Sequence, residues 1–301
     1  MKDLIIVGAG PAGITAAVYA ARKQMQFMVI SRDIGGQAAW SGEIENYTGF
    51  QYITGPDLAM KFRDHLEKYK FEILEGKGIS KVEKKADGSF SVSLESGEQF
   101  ESKTIIIASG KRPRLMNIPG EAKYKNKGLF FCATCDGPLF AGKDVAVIGG
   151  GNSALDAALQ MTKIASKVYV INVSAGFSGD GVMIDKVNKL KNIEILHNTK
   201  TIEVLGDKFV NSLKVQTGGN TKIIAVNGVF VEIGLIPNSS FIDFVKKNDH
   251  NEIEINCATE TSVPGLFAAG DVTDVPAKQI IIAAGDGAKA AMAAFSYLSK
   301  H

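Results

Sequence analysis

The sequence predicts an α/β protein made of two three-layer units, and two observations carry the prediction. Near the N-terminus an apolar run, a glycine-rich turn and an alanine-rich helix follow one another in "LIIVGAGPAGITAAVYAARK". The same order returns in "DVAVIGGGNSALDAALQMT". In the first copy Gly8, Gly10 and Gly13 form GxGxxG around Pro11 and Ala12. The first glycine permits a tight turn, the second lets the backbone approach a pyrophosphate, and the third allows close helix–strand packing. The free N–H groups of the helix N-terminus attract the anion. The second copy, with Gly149, Gly151 and Ala154, reads GxGxxA. Both are Rossmann-like dinucleotide-binding signatures, and a pair of them suits a flavin that exchanges electrons with a second nucleotide.

The length agrees, since 301 residues leave room for about two domains at roughly 150 residues each. Hydrophobic residues at 45% and charged residues at 22% are an ordinary globular balance. A net charge of +2 is too mild for a nucleic-acid or anionic-membrane surface, and no Lys/Arg block suggests either. The first strand begins at "DLIIVGAG" without a basic leader, and no apolar run reaches the roughly 18 residues a membrane span needs. A cytoplasmic protein is expected.

Two further segments fit a nucleotide-binding unit. "TIIIASGKRPR" (104–114) reads as a buried strand ending in a small-residue turn. In "SVPGLFAAGDVTDVPAKQIIIAAGDGAKAAMAAFSYL" a strand leads to Gly270-Asp271 and then to a long alanine-rich helix. A carboxylate at that turn can accept hydrogen bonds from a flavin's ribityl hydroxyls, and the helix N-terminus can face the isoalloxazine C2 oxygen. "KKADGSF" is a turn between strands with solvated lysines.

Two of the three cysteines, Cys132 and Cys135, form a CxxC in "GLFFCATCDGPLF". In a reducing compartment such a pair is redox-active or metal-binding rather than structural. Zinc would need two more ligands, whereas Cys257 stands alone and His65, His197, His250 and His301 lack ligand spacing. No metal is expected. Two intervening residues let both sulfurs meet at the start of a helix, where partial positive charge favours a thiolate. Cys257 in "EINCATE" is expected to be a small buried side chain.

Seven segments in order along the chain resemble the low-molecular-weight thioredoxin reductases: "GAGPAG", "GGQ" at 35–37, "IENYTGF" at 44–50, "FCATCDG" at 131–137, "GGGNSA" at 149–154, "GVFVEIGLIPN" at 228–238 and "GLFAAGDV" at 265–272. The resemblance implies a discontinuous FAD-binding domain (1–114 with 244–301) and, inserted in it, an NAD(P)-binding-like domain (118–240) carrying the redox pair. It implies FAD as cofactor, thioredoxin as disulfide substrate and a homodimer. By the same resemblance Gly36, Gln37, Asn46, Asp271, Lys278 and Gln279 join Gly8, Gly10, Pro11, Ala12, Gly13 and Gly270 at the cofactor. Lys278 stands where the family carries Arg, and Trp40 lies in the loop that either shields the flavin or packs beside it. Cys132 and Cys135 are the redox pair, and Asp136 either moves protons during thiol–disulfide exchange or caps a helix.

One part of the family pattern is missing. A Rossmann unit reads the adenosine ribose at the end of its second strand, with an acid for NAD or arginines for NADP. Thioredoxin reductases carry His-Arg-Arg there. This chain has Asn172, Val173 and Ser174, with Ser178 where a later Arg belongs, and no arginine after Arg114. Reduced ferredoxin, as in the clostridial members, is the expected electron donor. NADH through Asn172, NADPH, and the deazaflavin of other relatives stay as alternatives. A flavin-bound redox sensor remains a reading of a different class, and a ferredoxin–pyridine nucleotide reductase of the same fold would lack the CxxC.

Overall fold

The computed structural model describes residues 1–40, 43–44 and 46–300, with positions 40, 43 and 135 described by their backbone alone. The chain forms two compact units, Met1–Arg112 with Ile236–His301, and Pro113–Leu235. The two crossings are the short strands Lys111–Pro113 and Leu235–Pro237, paired with each other. After the second crossing, Asn238 Nδ2 donates to the Ser109 carbonyl at 2.9 Å, and Ser109 Oγ donates to the Asn238 carbonyl at 2.6 Å. Ile242 is buried in the same core as Ile5 and Ile107. The residues after 235 are thereby fastened to the first unit.

In that unit the strand Lys2–Ala9 runs parallel between Phe27–Ile34 and Gln99–Ile107. Glu72–Glu75 extends the sheet on one side; Phe90–Leu94 and Ile79–Lys84 extend it antiparallel on the other, and Leu266–Ala268 pairs parallel with Gln99–Ile107. A central parallel strand must be apolar on both faces, and Leu4, Ile5 and Ile6 are fully buried. Leu4 and Ile6 face a layer of alanines from the helices Pro11–Arg22 and Ile280–Leu298, while Ile5 and Val7 face Val82, Phe90 and Ile253. The alanines let the two helices pack tightly. At Gly287 an added Cβ would stand 2.0 Å from the Ala12 carbonyl oxygen.

The second unit repeats the plan. Asp144–Ile148 lies parallel between Gly228–Val231 and Lys167–Ile171, with Leu129–Phe130 and Ile193–Leu196 at the edges. The helix Asn152–Met161 covers one face through Leu155, Ala158 and Met161. The antiparallel sheet of Thr199–Gly206, Val210–Thr217 and Asn220–Ala225 covers the other through Val204, Leu213 and Val215. Both units are thus three-layer Rossmann-like assemblies with their glycine turns at the carboxyl ends of parallel strands, where such folds bind ligands. Among the described residues no helix is long and apolar enough to cross a membrane.

Candidate functional site

The first glycine turn closes around three different constraints. Gly8 has φ +104°, and a Cβ there would lie 2.3 Å from the Ala108 carbonyl oxygen. At Gly13 a Cβ would lie 1.8 Å from the Gly8 carbonyl oxygen. Both glycines are demanded by packing. Gly10 is not: its extended backbone (φ −76°) suits any residue, and the nearest protein atoms to a Cβ are 4.0 Å away. The open space above Gly10 is the cradle a pyrophosphate would fill, which is the fit expected for FAD. Gly36 stands against it, an added Cβ there reaching the Gly10 Cα at 3.2 Å, and its N–H donates to Asp33 Oδ1 at 3.1 Å. Gly270, at φ +74°, brings the next turn against Ala12, and Gln37 reaches toward Gly110.

Asp271 follows at the carboxyl end of Leu266–Ala268. Burial pushes its carboxyl group up, with Lys278 and Lys111 pulling the other way. Among the described residues no hydrogen bond reaches its side chain, so its oxygens could accept hydroxyl donors of the kind a ribityl chain carries. Asn46 Nδ2 donates to Gln279 Oε1 at 3.1 Å, joining two expected cofactor residues from opposite ends of the chain. Lys278 bonds the Thr273 carbonyl and lies 3.1 Å from Glu252 Oε1. The side chain of Trp40 lies outside the described residues.

Glu252 was not foreseen. Burial works against its charge, yet Lys111 at 2.8 Å, Asn248 at 2.7 Å and Lys278 hold it down to about 2. Lys111, Glu252, Lys278 and Asp271 form one charge cluster beside the cradle. No local signal could have revealed a pair 141 residues apart in the chain.

In the second unit Cys132 immediately precedes the short helix Ala133–Asp136, which contains Cys135. Cys132 is disulfide-bonded, whereas Cys257 is free; the side chain of Cys135 lies outside the described residues. Burial raises the Asp136 carboxyl above the ordinary range. The residues between the cysteines are tied down: Thr134 Oγ1 donates to Gln160 Oε1 at 2.8 Å, and Gln160 Nε2 to Asp156 Oδ2 at 2.7 Å. The Ala133 N–H donates to Glu232, whose carboxyl group burial pushes up to about 8. An acid inside "VFVEIG" was the available signal for Glu232.

The second glycine turn is partly occupied by protein. Asn172 is 3% exposed. Its Nδ2 donates to the Gly176 carbonyl at 2.8 Å, and its Oδ1 accepts the Ser174 N–H at 3.1 Å. Its amide rests against Gly150, where a Cβ would meet Oδ1 at 2.5 Å. The side chain expected to offer itself to a nicotinamide nucleotide is engaged by its own loop. Val173 is 67% exposed, and Ser178 Oγ donates to the Gly150 carbonyl at 3.3 Å. Cys257, expected to be buried, is instead exposed. It sits in a turn made by Asn256 Oδ1, which accepts the N–H groups of Ala258 and Glu260.

The sequence pattern of the pyridine nucleotide-disulphide oxidoreductases matches residues 2–291. Over 302 aligned residues the chain is 42% identical to an alkyl hydroperoxide reductase component of Staphylococcus aureus (strain MSSA476) and 41% identical to a protein named NADH dehydrogenase from Bacillus subtilis (strain 168). Each match takes in 99% of this chain but 59% of the relative, so the chain spans less than two thirds of these proteins. The thioredoxin reductase of Lactococcus lactis superposes with a TM-score of 0.87 at 33% identity, with both chains fully covered. That of T. acidophilum gives 0.83 at 38% identity over 98% of each chain. A ferredoxin-flavin thioredoxin reductase from Clostridium acetobutylicum gives 0.55 at 28% identity over 100% of this chain and 99% of that one. The chain belongs to the FAD-binding pyridine nucleotide-disulphide oxidoreductase family.

Proposed function

We propose that the protein is a FAD-dependent disulfide reductase that passes electrons to thioredoxin through Cys132 and Cys135, with reduced ferredoxin as its donor. The observation that carries the disulfide chemistry is the bonded Cys132, placed just before the short helix Ala133–Asp136, whose last residue, Asp136, is held above its ordinary range by burial. When bound, FAD would supply the two electrons needed to open the disulfide. The backbone of Gly8, Gly10, Pro11, Ala12, Gly13 and Gly36 holds its pyrophosphate, Asp271 its ribityl hydroxyls, and Gly270, Gln37, Asn46, Lys278 and Gln279 line the remainder. Asp136 holds the proton that a leaving thiolate needs. We place FAD binding in the discontinuous unit and the redox pair in the inserted one, in a cytoplasmic homodimer.

The donor assignment rests on the strand end at Asn172. A 2′-phosphate would find Val173 and Ser174 in place of arginines, and it would lose two or three charge-assisted bonds of about 1.5–3 kcal/mol each. The Asn172 amide over Gly150 further crowds the turn. The 41% identity to a protein named NADH dehydrogenase favours NADH as the second reading, because NADH carries no 2′-phosphate. Anaerobic stopped-flow bleaching of the bound flavin by reduced ferredoxin, NADH and NADPH separates these readings. Fast bleaching by ferredoxin and slow bleaching by both nucleotides is expected. Millisecond bleaching by low-micromolar NADPH refutes the donor assignment.

A further inference from the structure

The partly buried carboxyl group of Glu232 has no part in the scheme above, yet it touches the redox helix directly. It stands just past the end of Gly228–Val231, where its N–H donates to the Ile148 carbonyl at 2.7 Å and its own carbonyl crowds Gly149. Its side chain turns to the CxxC and accepts the N–H of Ala133, the residue after Cys132. From the other side, Asp156 and Gln160 of the helix Asn152–Met161 hold Thr134. Both residues between the cysteines are therefore gripped by a network with a carboxyl group at each end.

We propose that Glu232 couples proton uptake to reduction of the Cys132–Cys135 disulfide, its bond to the Ala133 N–H fixing the carboxyl group beside the reacting sulfurs. The proposal rests on the redox pair assigned above. Reduction breaks the S–S bond, takes in two electrons and leaves two thiolates, each of which needs a proton or a compensating charge. A negative charge arriving next to a partly desolvated carboxyl group raises its hold on a proton. Burial already lifts Glu232 to about 8, and the charge of Asp156 adds to this, while the Ala133 N–H opposes it. Asp136, on the redox helix itself, is also lifted by burial, so the couple has two carboxyl groups at hand.

The sign follows from linkage. Below about pH 7 Glu232 is protonated with the pair oxidised or reduced, and it has no effect on the equilibrium. Above about pH 8 it is ionised in the disulfide form. Reduction must then either place thiolates beside a carboxylate or draw a proton from solvent onto it, and either disfavours the dithiol. The wild-type pair thus becomes harder to reduce above pH 8 than it would be without this carboxylate.

The test is a redox titration of the FAD-loaded chain against dithiothreitol, from pH 6 to pH 9.5, scoring free thiols by alkylation in wild type and Glu232→Gln. Equal equilibrium constants below pH 7 and a gap opening above pH 8 are expected. By pH 9 the variant should be on the order of tenfold easier to reduce, or about 30 mV for a two-electron couple. Asp156→Asn, with Glu232 intact, should move the break in the wild-type curve to lower pH, and this arm stands if Glu232→Gln does not fold. A gap of the same size at every pH means a structural role and overturns the proposal, as does a wild-type curve without a break. If Cys132 and Cys135 do not exchange with dithiothreitol at any pH, the disulfide-reductase reading itself fails.

Discussion

Replacing Gly10 and Gly13 separately by alanine should split cofactor contact from packing. At Gly13 the new methyl would sit 1.8 Å from the Gly8 carbonyl oxygen and 2.8 Å from its carbon, so the helix Pro11–Arg22 has to move off the strand. Overpacking of this kind costs about 1–3 kcal/mol, occasionally more, and at about 2–4 °C per kcal/mol for a unit of this size it should appear as a clear loss of thermal stability even without flavin. At Gly10 the nearest atoms are 4.0 Å away and the backbone is extended. Gly10→Ala should therefore leave the apoprotein within about 0.5 kcal/mol of wild type, or stabilise it slightly by restricting the unfolded chain. Its methyl would fill the cradle, however. Loss of one charge-assisted bond to the pyrophosphate, about 1.5–3 kcal/mol, should weaken FAD at least tenfold. Melting of the apoproteins, followed by flavin titration read through absorbance, measures both effects. A Gly10→Ala protein that keeps wild-type FAD affinity would refute the placement of the pyrophosphate, and a stable Gly13→Ala apoprotein would refute the packing argument.

Cys132→Ser and Cys135→Ser should each abolish reduction of a thioredoxin disulfide and leave the bound flavin unchanged, read by steady-state turnover and the flavin spectrum. Asp136→Asn should slow turnover by 10²–10⁴-fold, the usual scale of proton-transfer catalysis, and shift the pH–rate profile; a helix-capping role alone would leave that profile in place. Glu252 is held down to about 2 in the fold, so its contribution is present above about pH 4.5 and is lost as pH falls toward 2. Glu252→Gln should cost about 1.5–3 kcal/mol near neutral pH and flatten acid unfolding in that window, as followed by circular dichroism. Val173→Arg with Ser174→Arg adds two cations at the end of Lys167–Ile171, and should raise the efficiency of NADPH-driven flavin bleaching at least tenfold if the phosphate contact limits it.

What could be read from the sequence is what the backbone does. "LIIV" followed by Gly8, Gly10 and Gly13 specifies a buried parallel strand and its turn, because steric limits on a main chain depend on near neighbours alone. The antiparallel sheet over Thr199–Ala225 carried the alternation of a half-buried strand but no chemistry to draw attention to it. The unforeseen parts depend on distance in the chain and on dielectric. Lys111, Glu252 and Lys278 are ordinary surface residue types, and only the fold brings the two lysines and Asn248 onto one carboxylate, whose hydrogen bonds hold it down to about 2 against the opposing effect of burial. Asn172 stood at the right position for a ribose contact, yet four residues later the loop offered its amide the Gly176 carbonyl, a partner that a linear pattern does not contain. Glu232 shows both sides of this divide. An acid at the end of an apolar strand is conspicuous in the sequence, but what it can do depends on Ala133, which follows the neighbouring edge strand Leu129–Phe130. The glycines of this fold therefore mark where a ligand can lie, while its chemistry is decided by which carboxyl groups the packing deprives of water.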